Sequence, residues 1–455
     1  MLKNTEVMGT ERISKLLIRF STPAIIAMMS SALYNVTDTI FLGWGVGTKG
    51  IAALVIAFPV QMFVMAVAQA VGIGAASLIS RSLGAGQKKQ AEYTAGMSIT
   101  LTTLLSLVIT FPGIVYMDNI ITFLGATQSL LPYVRDYLSI ILTGTFFYVV
   151  SLSTSFVVRA EGKPNVAMWS IMTGTLLNIG LDPLLIIGFN MGMKGAALAT
   201  VISQAVSLGY LTAFFLLGKS HFKISWNGFL IRVKPLKEVV SIGTSAFVRI
   251  ASMLVFFIVV NKTISYFGND LHLAVMGVYN RMASLFTLPL FGLAQGMQPI
   301  VGFNFGARKY ERVKHTLKIT SGAATILCSA GFLLLFIFPG TVFSIFSNDP
   351  DLHTQGIPVL RLLIIMLPVV GFHQVSTSFF QSVGKAGASL LLTLSRQFLF
   401  AIPLLLVLPQ FFKLTGVWFA IPIADFLAAV LSFILIGREV KRIDVLESEK
   451  PEDKQ

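Results

Sequence analysis

A chain of 455 residues with 55% hydrophobic residues, a mean hydropathy of +0.80 and only 12% charged residues stands apart from soluble globular proteins, in which about a quarter of residues are charged, and reads as an all-α polytopic membrane protein. One cysteine, Cys328, excludes a disulfide framework or a cysteine-built zinc or iron-sulfur site, and five histidines without H-x-x-x-H or H-E-x-x-H spacing point away from metal hydrolase chemistry; no cofactor is expected. A formal charge of +14 suits either a nucleic-acid partner or a membrane chain whose basic residues gather in its cytoplasmic loops, and their placement decides between the two.

Twelve apolar windows of membrane-crossing length follow one another: 16–43, 51–79, 92–117, 131–158, 166–190, 194–217, 238–266, 272–301, 315–339, 357–382, 388–411 and 414–437. The first follows Lys3, Arg12, Lys15 and Arg19. It is too long for a signal-peptide core and lacks a small-residue cleavage site, so it is read as a retained helix. With the N-terminus inside, the inner segments hold 25 of the 34 Lys and Arg and the outer segments six. That asymmetry predicts cytoplasmic termini in a plasma (inner) membrane and removes the need for nucleic acid.

A constant offset of 222 relates Thr22 to Thr244, Gly74 to Gly296, the pair Gly84-Ala85 to Gly306-Ala307, and Gly162-Lys163 to Gly384-Lys385. These matches recur at equivalent loops. The chain therefore divides into a cytoplasmic segment 1–15, an N-lobe of six helices over 16–217, a basic linker 218–237, a C-lobe of six helices over 238–437 and a polar tail 438–455 expected to be disordered. Six is even, so the repeats enter the membrane in the same direction, parallel repeats with a site between or within them.

Three acids lie well inside spans: Asp38, Asp182 and Asp425. A carboxylate at membrane depth costs about 2.5 to 3.5 kcal/mol on insertion scales and is read as functional by default. Helical spacing groups Ser31, Asn35 and Asp38 on the first span, Thr175, Asn178 and Asp182 on the fifth, and Thr200 and Gln204 on the sixth. Pro183 cannot donate to the carbonyl of Ile179. Two carboxylates, an amide oxygen, a hydroxyl and a loose carbonyl suit a sodium ion or a shared proton. Asp425 lacks polar neighbours at helical spacing and is read as a helix-holding acid. The C-lobe carries Arg249, Arg281 and Arg396 instead, which snorkel to the interface, pair with Asp425, or face a cavity and meet anionic groups; Arg281 joins Ser31, Asn35, Thr175 and Gln204 as a candidate for the substrate cavity.

Leu33-Tyr-Asn-Val-Thr-Asp38, Arg159-Ala-Glu-Gly162, Leu177-Asn-Ile-Gly-Leu-Asp-Pro183, Gly195-Ala-Ala-Leu-Ala-Thr200, Gly296-Met-Gln-Pro299 and Asn304-Phe-Gly-Ala307 together resemble the multidrug and toxic compound extrusion (MATE) family, in the prokaryotic branch whose cation site lies in the N-terminal lobe. The resemblance implies a twelve-helix, two-lobed antiporter that exports organic cations or drugs in exchange for protons or sodium, with site residues at Asp38, Asn178, Asp182 and Thr200. It departs from the family in two places. The seventh and tenth spans lack the acids of the other bacterial branch, and Ser155 stands where related sequences often have Asn. The expectation is a multi-pass, non-enzymatic monomer that meets a small organic substrate and the bilayer. A flippase for an anionic lipid-linked or oligosaccharide substrate is the alternative, resting on the three arginines.

Overall fold

The structure, a computed structural model, describes residues 3–222, 226–346 and 349–449, and among these it contains helices and no strand. Buried backbone in hydrocarbon must satisfy its own hydrogen bonds, which long apolar windows do by becoming helices. The N-lobe is α1 (Ile13–Gly45), α2 (Thr48–Gly84), α3 (Lys88–Val115), α4 (Leu131–Ala160), α5 (Pro164–Asp182, continued by a π-helical turn, Pro183–Gly188) and α6 (Gly192–Leu216). The C-lobe is α7 (Val233–Phe267), α8 (Asp270–Gly306), α9 (Tyr310–Ile337) and α10, whose two halves Pro350–Ile364 and Leu367–Ser382 are bent by 43°. It ends with α11 (Ala386–Leu394, a π-helical turn Ser395–Ala401, then 402–412) and α12 (414–448).

By length and hydropathy nine helical stretches among the described residues can cross a membrane, and the bent α10 makes a tenth. The last stretch, Ala386–Ser448, breaks at Lys413 (φ 49°, ψ −134°), where Gly416 comes against the Leu408 carbonyl, and so holds two crossings. The remaining one is α8, 37 residues long, whose apolar run is interrupted by Asn280, Arg281, Gln295 and Gln298. Twelve spans in two lobes result. The chain reversals repeat as well: Gly162 and Gly384, 222 apart, both take the left-handed region (φ 93° and 81°), where glycine carries no Cβ penalty.

The lobes meet through α2 against α7 and α1 against α8. Both contacts are closest at the end that carries the termini. A Cβ on Gly74 would lie 2.1 Å from the Val239 carbonyl oxygen and one on Gly243 2.2 Å from that of Ala70; in the related contact Gly292 and Gly296 press against the backbone of Ile25 and Ser21. On the pseudo-axis itself, Gly84 faces the Phe303 carbonyl and Gly306 the Arg81 carbonyl at 1.9 and 2.0 Å by the same measure. Arg81 adds an ion pair to Glu238 of the other lobe at 2.7 Å. Toward the opposite end, repeat-related side chains stand exposed to matching degrees: Phe63 (47%) with Leu285 (49%), and Val36 (56%) with Ile258 (57%).

One segment differs from expectation. The tail 438–455 was expected to be disordered, yet α12 continues through it to residue 448 because Lys314 on α9 reaches Asp444 and Glu447 at 2.7 and 3.0 Å; residues 450–455 lie outside the described residues. The first segment forms a helix, Lys3–Thr10, held on the C-lobe: Asn304 and Arg312 donate to the Met8 carbonyl and Lys309 to that of Gly9.

Candidate functional site

Within the N-lobe, α1 packs on α5 and α5 on α6, and this brings the polar stripes of the three helices together. Asp38, Asn178, Asp182 and Thr200 are all buried, Asp182 completely. Asn178 Nδ2 donates to Asp182 Oδ1 at 3.3 Å, the pairing expected for residues four apart on one helix. The Tyr34 and Thr200 hydroxyls meet at 3.1 Å, which joins α1 to α6. Asp38 and Asp182 are near enough for their charges to interact.

Three buried oxygens there have no hydrogen-bond partner: Asp38 Oδ1, Asp182 Oδ2 and Asn178 Oδ1. Buried polar atoms are otherwise almost always satisfied. Three orphaned acceptors, two of them on carboxylates, make a donor set for a hard monovalent cation or for protons. The π-helical turn that begins at Pro183 displaces the backbone immediately after Asp182, a deviation frequent at functional sites.

Beside this group is a cavity of about 140 Å³ lined by Ser31, Tyr34, Tyr148, Thr175, Asn178, Thr200, Ser203 and Gln204 among others. Asp38 and Asp182 do not line it; Asn178 and Tyr34 connect them to it. Of the residues the sequence proposes for a substrate cavity, Ser31, Thr175 and Gln204 border this space. Asn35 lies outside it, exposed, with its amide on the Ser31 carbonyl at 2.7 Å, and Arg281 lies outside it on the exposed face of α8 in the other lobe. Tyr34, which the spacing argument passed over, takes the inward position. It is three residues from Ser31 and four from Asp38, so the same periodicity contains it.

Among the described residues the C-lobe has no matching group. Asp425 is buried and bound by Arg396 at 2.6 Å, so this acid holds α11 to α12. Truncating it to Leu leaves the guanidinium without its anion, and an unfolding free-energy loss of about 3 kcal/mol is expected, the low end for a broken buried pair because Arg396 stays a third exposed. The double variant Arg396→Met/Asp425→Leu should recover most of it. Thermal unfolding of the two proteins in detergent checks this, and equal losses would show that the pair is not the cause.

A family model described as MatE matches residues 23–184 and again 245–407, two starts 222 residues apart. The multidrug export protein MepA of Staphylococcus haemolyticus is 28% identical over 95% of both chains. Among solved structures, a MATE protein in a bent conformation superposes with a TM-score of 0.92 at 26% identity over 98% of this chain and 99% of that one. A multidrug resistance MATE transporter of the MOP superfamily in an outward-facing conformation does so at 0.91 and 25%, over 99% of each.

Proposed function

This chain belongs to the MatE family, a multidrug efflux transporter of many membrane spans, and we propose that it works as an antiporter that couples export to inward flow of protons or sodium. The observation that carries the coupling is the set of orphaned oxygens on Asp38, Asn178 and Asp182. Where sodium is the coupling ion, those three oxygens and the Thr200 hydroxyl would hold it; where protons are, the two carboxylates would share them. The exported molecules are drug-like and amphipathic, organic cations among them.

With the basic end in the cytoplasm, as the 25 to six asymmetry of Lys and Arg indicates, the glycine contacts seal the cytoplasmic side and the lobes open outward. Rocking about the lobe junction would expose the other side. A ligand shifts such an equilibrium only by its differential affinity for the two states, so the coupling ion need only favour the N-lobe shape that disfavours substrate.

The alternative, a flippase for an anionic lipid-linked substrate, draws on the three membrane arginines. Arg396 is engaged by Asp425, which leaves that reading with Arg249 at the lobe junction and Arg281 on the exposed face of α8. Proteoliposomes loaded with ethidium and given a pH gradient or a sodium gradient, one at a time, test the antiport reading. One gradient is expected to drive ethidium transport, and failure of both would remove cation coupling.

A further inference from the structure

At the junction of the lobes Arg249 and Arg159 are bound to no acid among the described residues; Glu161, two residues past Arg159, accepts instead from Ser220 and the His221 amide. Arg249 on α7 donates through Nη2 to Gln69 Oε1 on α2 at 2.8 Å, and its guanidinium sits 5.0 Å from the ring centroid of Phe291 on α8. One turn along α8, Gln295 Oε1 accepts from Arg159, whose guanidinium covers Phe156 at 5.1 Å. Neither arginine forms an ion pair among the described residues. The facing helices offer little to change this: α2 carries no Asp or Glu, Glu238 on α7 is bound to Arg81, and Asp270 on α8 lies in the first turn at the opposite end. Asp38 is 13 residues beyond Ile25 on α1, about 20 Å along the helix from the place where α1 and α8 touch.

A guanidinium has five N–H donors, and a neutral amide oxygen occupies one of those on Arg249. Arg249 at membrane depth and Arg159 at the inner end of α4, whose partners among the described residues are amides and rings, carry an uncompensated field. Arg159 is buried and supplies that field from behind. Arg249 is half-buried at the level where the close glycine contacts end, next to the Phe63–Phe247 ring contact that bridges the lobes at 6.0 Å.

We propose that Arg249, backed by Arg159, binds the anionic head, a carboxylate or phosphate, of an amphipathic molecule seated at the lobe junction, with Phe63, Phe247 and Phe291 against its apolar body. A carboxylate or phosphate takes two parallel N–H···O bonds from one guanidinium, and the bound anion supplies the charge the site lacks. The inference deepens the export reading by naming a substrate class and rests on it only for the ligand's later fate, since binding needs no gradient.

The test is equilibrium binding of NBD-aminododecanoic acid, at alkaline pH, and of its methyl ester to the purified full chain in phosphatidylcholine nanodiscs, read by NBD fluorescence. The acid is expected to bind at least about tenfold tighter than the ester, the factor that corresponds to about 1.4 kcal/mol. Arg249→Gln should erase that preference with the ester's affinity unchanged, and Arg249→Lys should keep part of it, a point charge replacing the fork. Equal binding of acid and ester by the unaltered chain, or an undiminished preference in Arg249→Gln, overturns the proposal. Should Arg249→Gln lose its monodisperse gel-filtration peak, the acid-to-ester ratio of Arg249→Lys decides, and an unchanged ratio there counts against the site. Displacement of the bound acid by naphthalene carboxylate assigns the site to soluble substrates and displacement by dioctanoyl phosphatidic acid to lipid; displacement by neither overturns it. A chain that binds the acid but moves nothing under either gradient leaves this site standing and removes the export reading alone.

Discussion

Asp38→Asn is expected to abolish gradient-driven export from proteoliposomes while expression and gel-filtration behaviour stay near normal. The amide fills the volume of the carboxylate but cannot titrate or lend a negative charge to a cation. For a neutral substrate, each coupling charge that crosses 100 mV supplies about 2.3 kcal/mol, enough to hold a concentration ratio of about 50. Loss of coupling therefore collapses that ratio toward unity. Asp182→Asn should do much the same, because Asp182 shares the site through Asn178 and its own Oδ2 is an orphaned acceptor there. Interacting carboxylates titrate as a pair, so the double variant should be little worse than the worse single. The measurement is the steady-state dye ratio for the two singles and the double. Full gradient-driven export by Asp38→Asn would remove that residue from the coupling role, and additive losses would place the two acids in separate sites.

Much of this architecture is legible in one sequence because the bilayer allows few solutions. A run of about 20 apolar residues has to be a helix, so the windows predict the spans, and helices overrun them only at the watery ends, as α2 does in reaching Gly84. The repeat offset was readable because glycines at reversals and crossings tolerate no side chain; Gly84 and Gly306 mark one such crossing. Acid placement also told, since burying a carboxylate costs too much to be accidental.

Rotation about a helix axis was less legible. Positions three and four apart both fit a period of 3.6, so Ser31 and Asp38 were compatible with an inward Asn35 or an inward Tyr34, and only the packing of α5 and α6 selects Tyr34 through Thr200. Asp425 without polar neighbours on its own helix pointed to a partner elsewhere, but which of three arginines it was depended on how α11 lies on α12. The helical tail was missed because its support, Lys314, is about 130 residues away in sequence, and composition alone describes only the local chain.

Gly306→Val is expected to lower export at least about tenfold, the loss that a shift of about 1.4 kcal/mol against a required state produces. In the sealed arrangement the backbones of α2 and α8 are in contact at this residue: a Cβ at 306 falls 2.0 Å from the Arg81 carbonyl oxygen and 2.9 Å from its Cα. Overpacking against side chains typically costs about 1 to 3 kcal/mol because rotamers give way, whereas two helix backbones relieve an overlap only by moving apart. The lobes then separate at the end that carries the termini, and the equilibrium runs toward the opposite conformation. A cysteine reports this directly. With Cys328→Ser as background, Ser80→Cys places a small thiol at a fully buried position on α2 beside Gly302 of the other lobe; it should resist a membrane-impermeant maleimide applied from the terminus side and become reactive once Gly306→Val is added. The related substitution Gly84→Val, whose Cβ would lie 1.9 Å from the Phe303 carbonyl oxygen, should give the same exposure, since the pseudo-axis makes the two positions equivalent. Normal export by Gly306→Val together with a thiol that stays protected would show that the lobes do not need this glycine crossing to close.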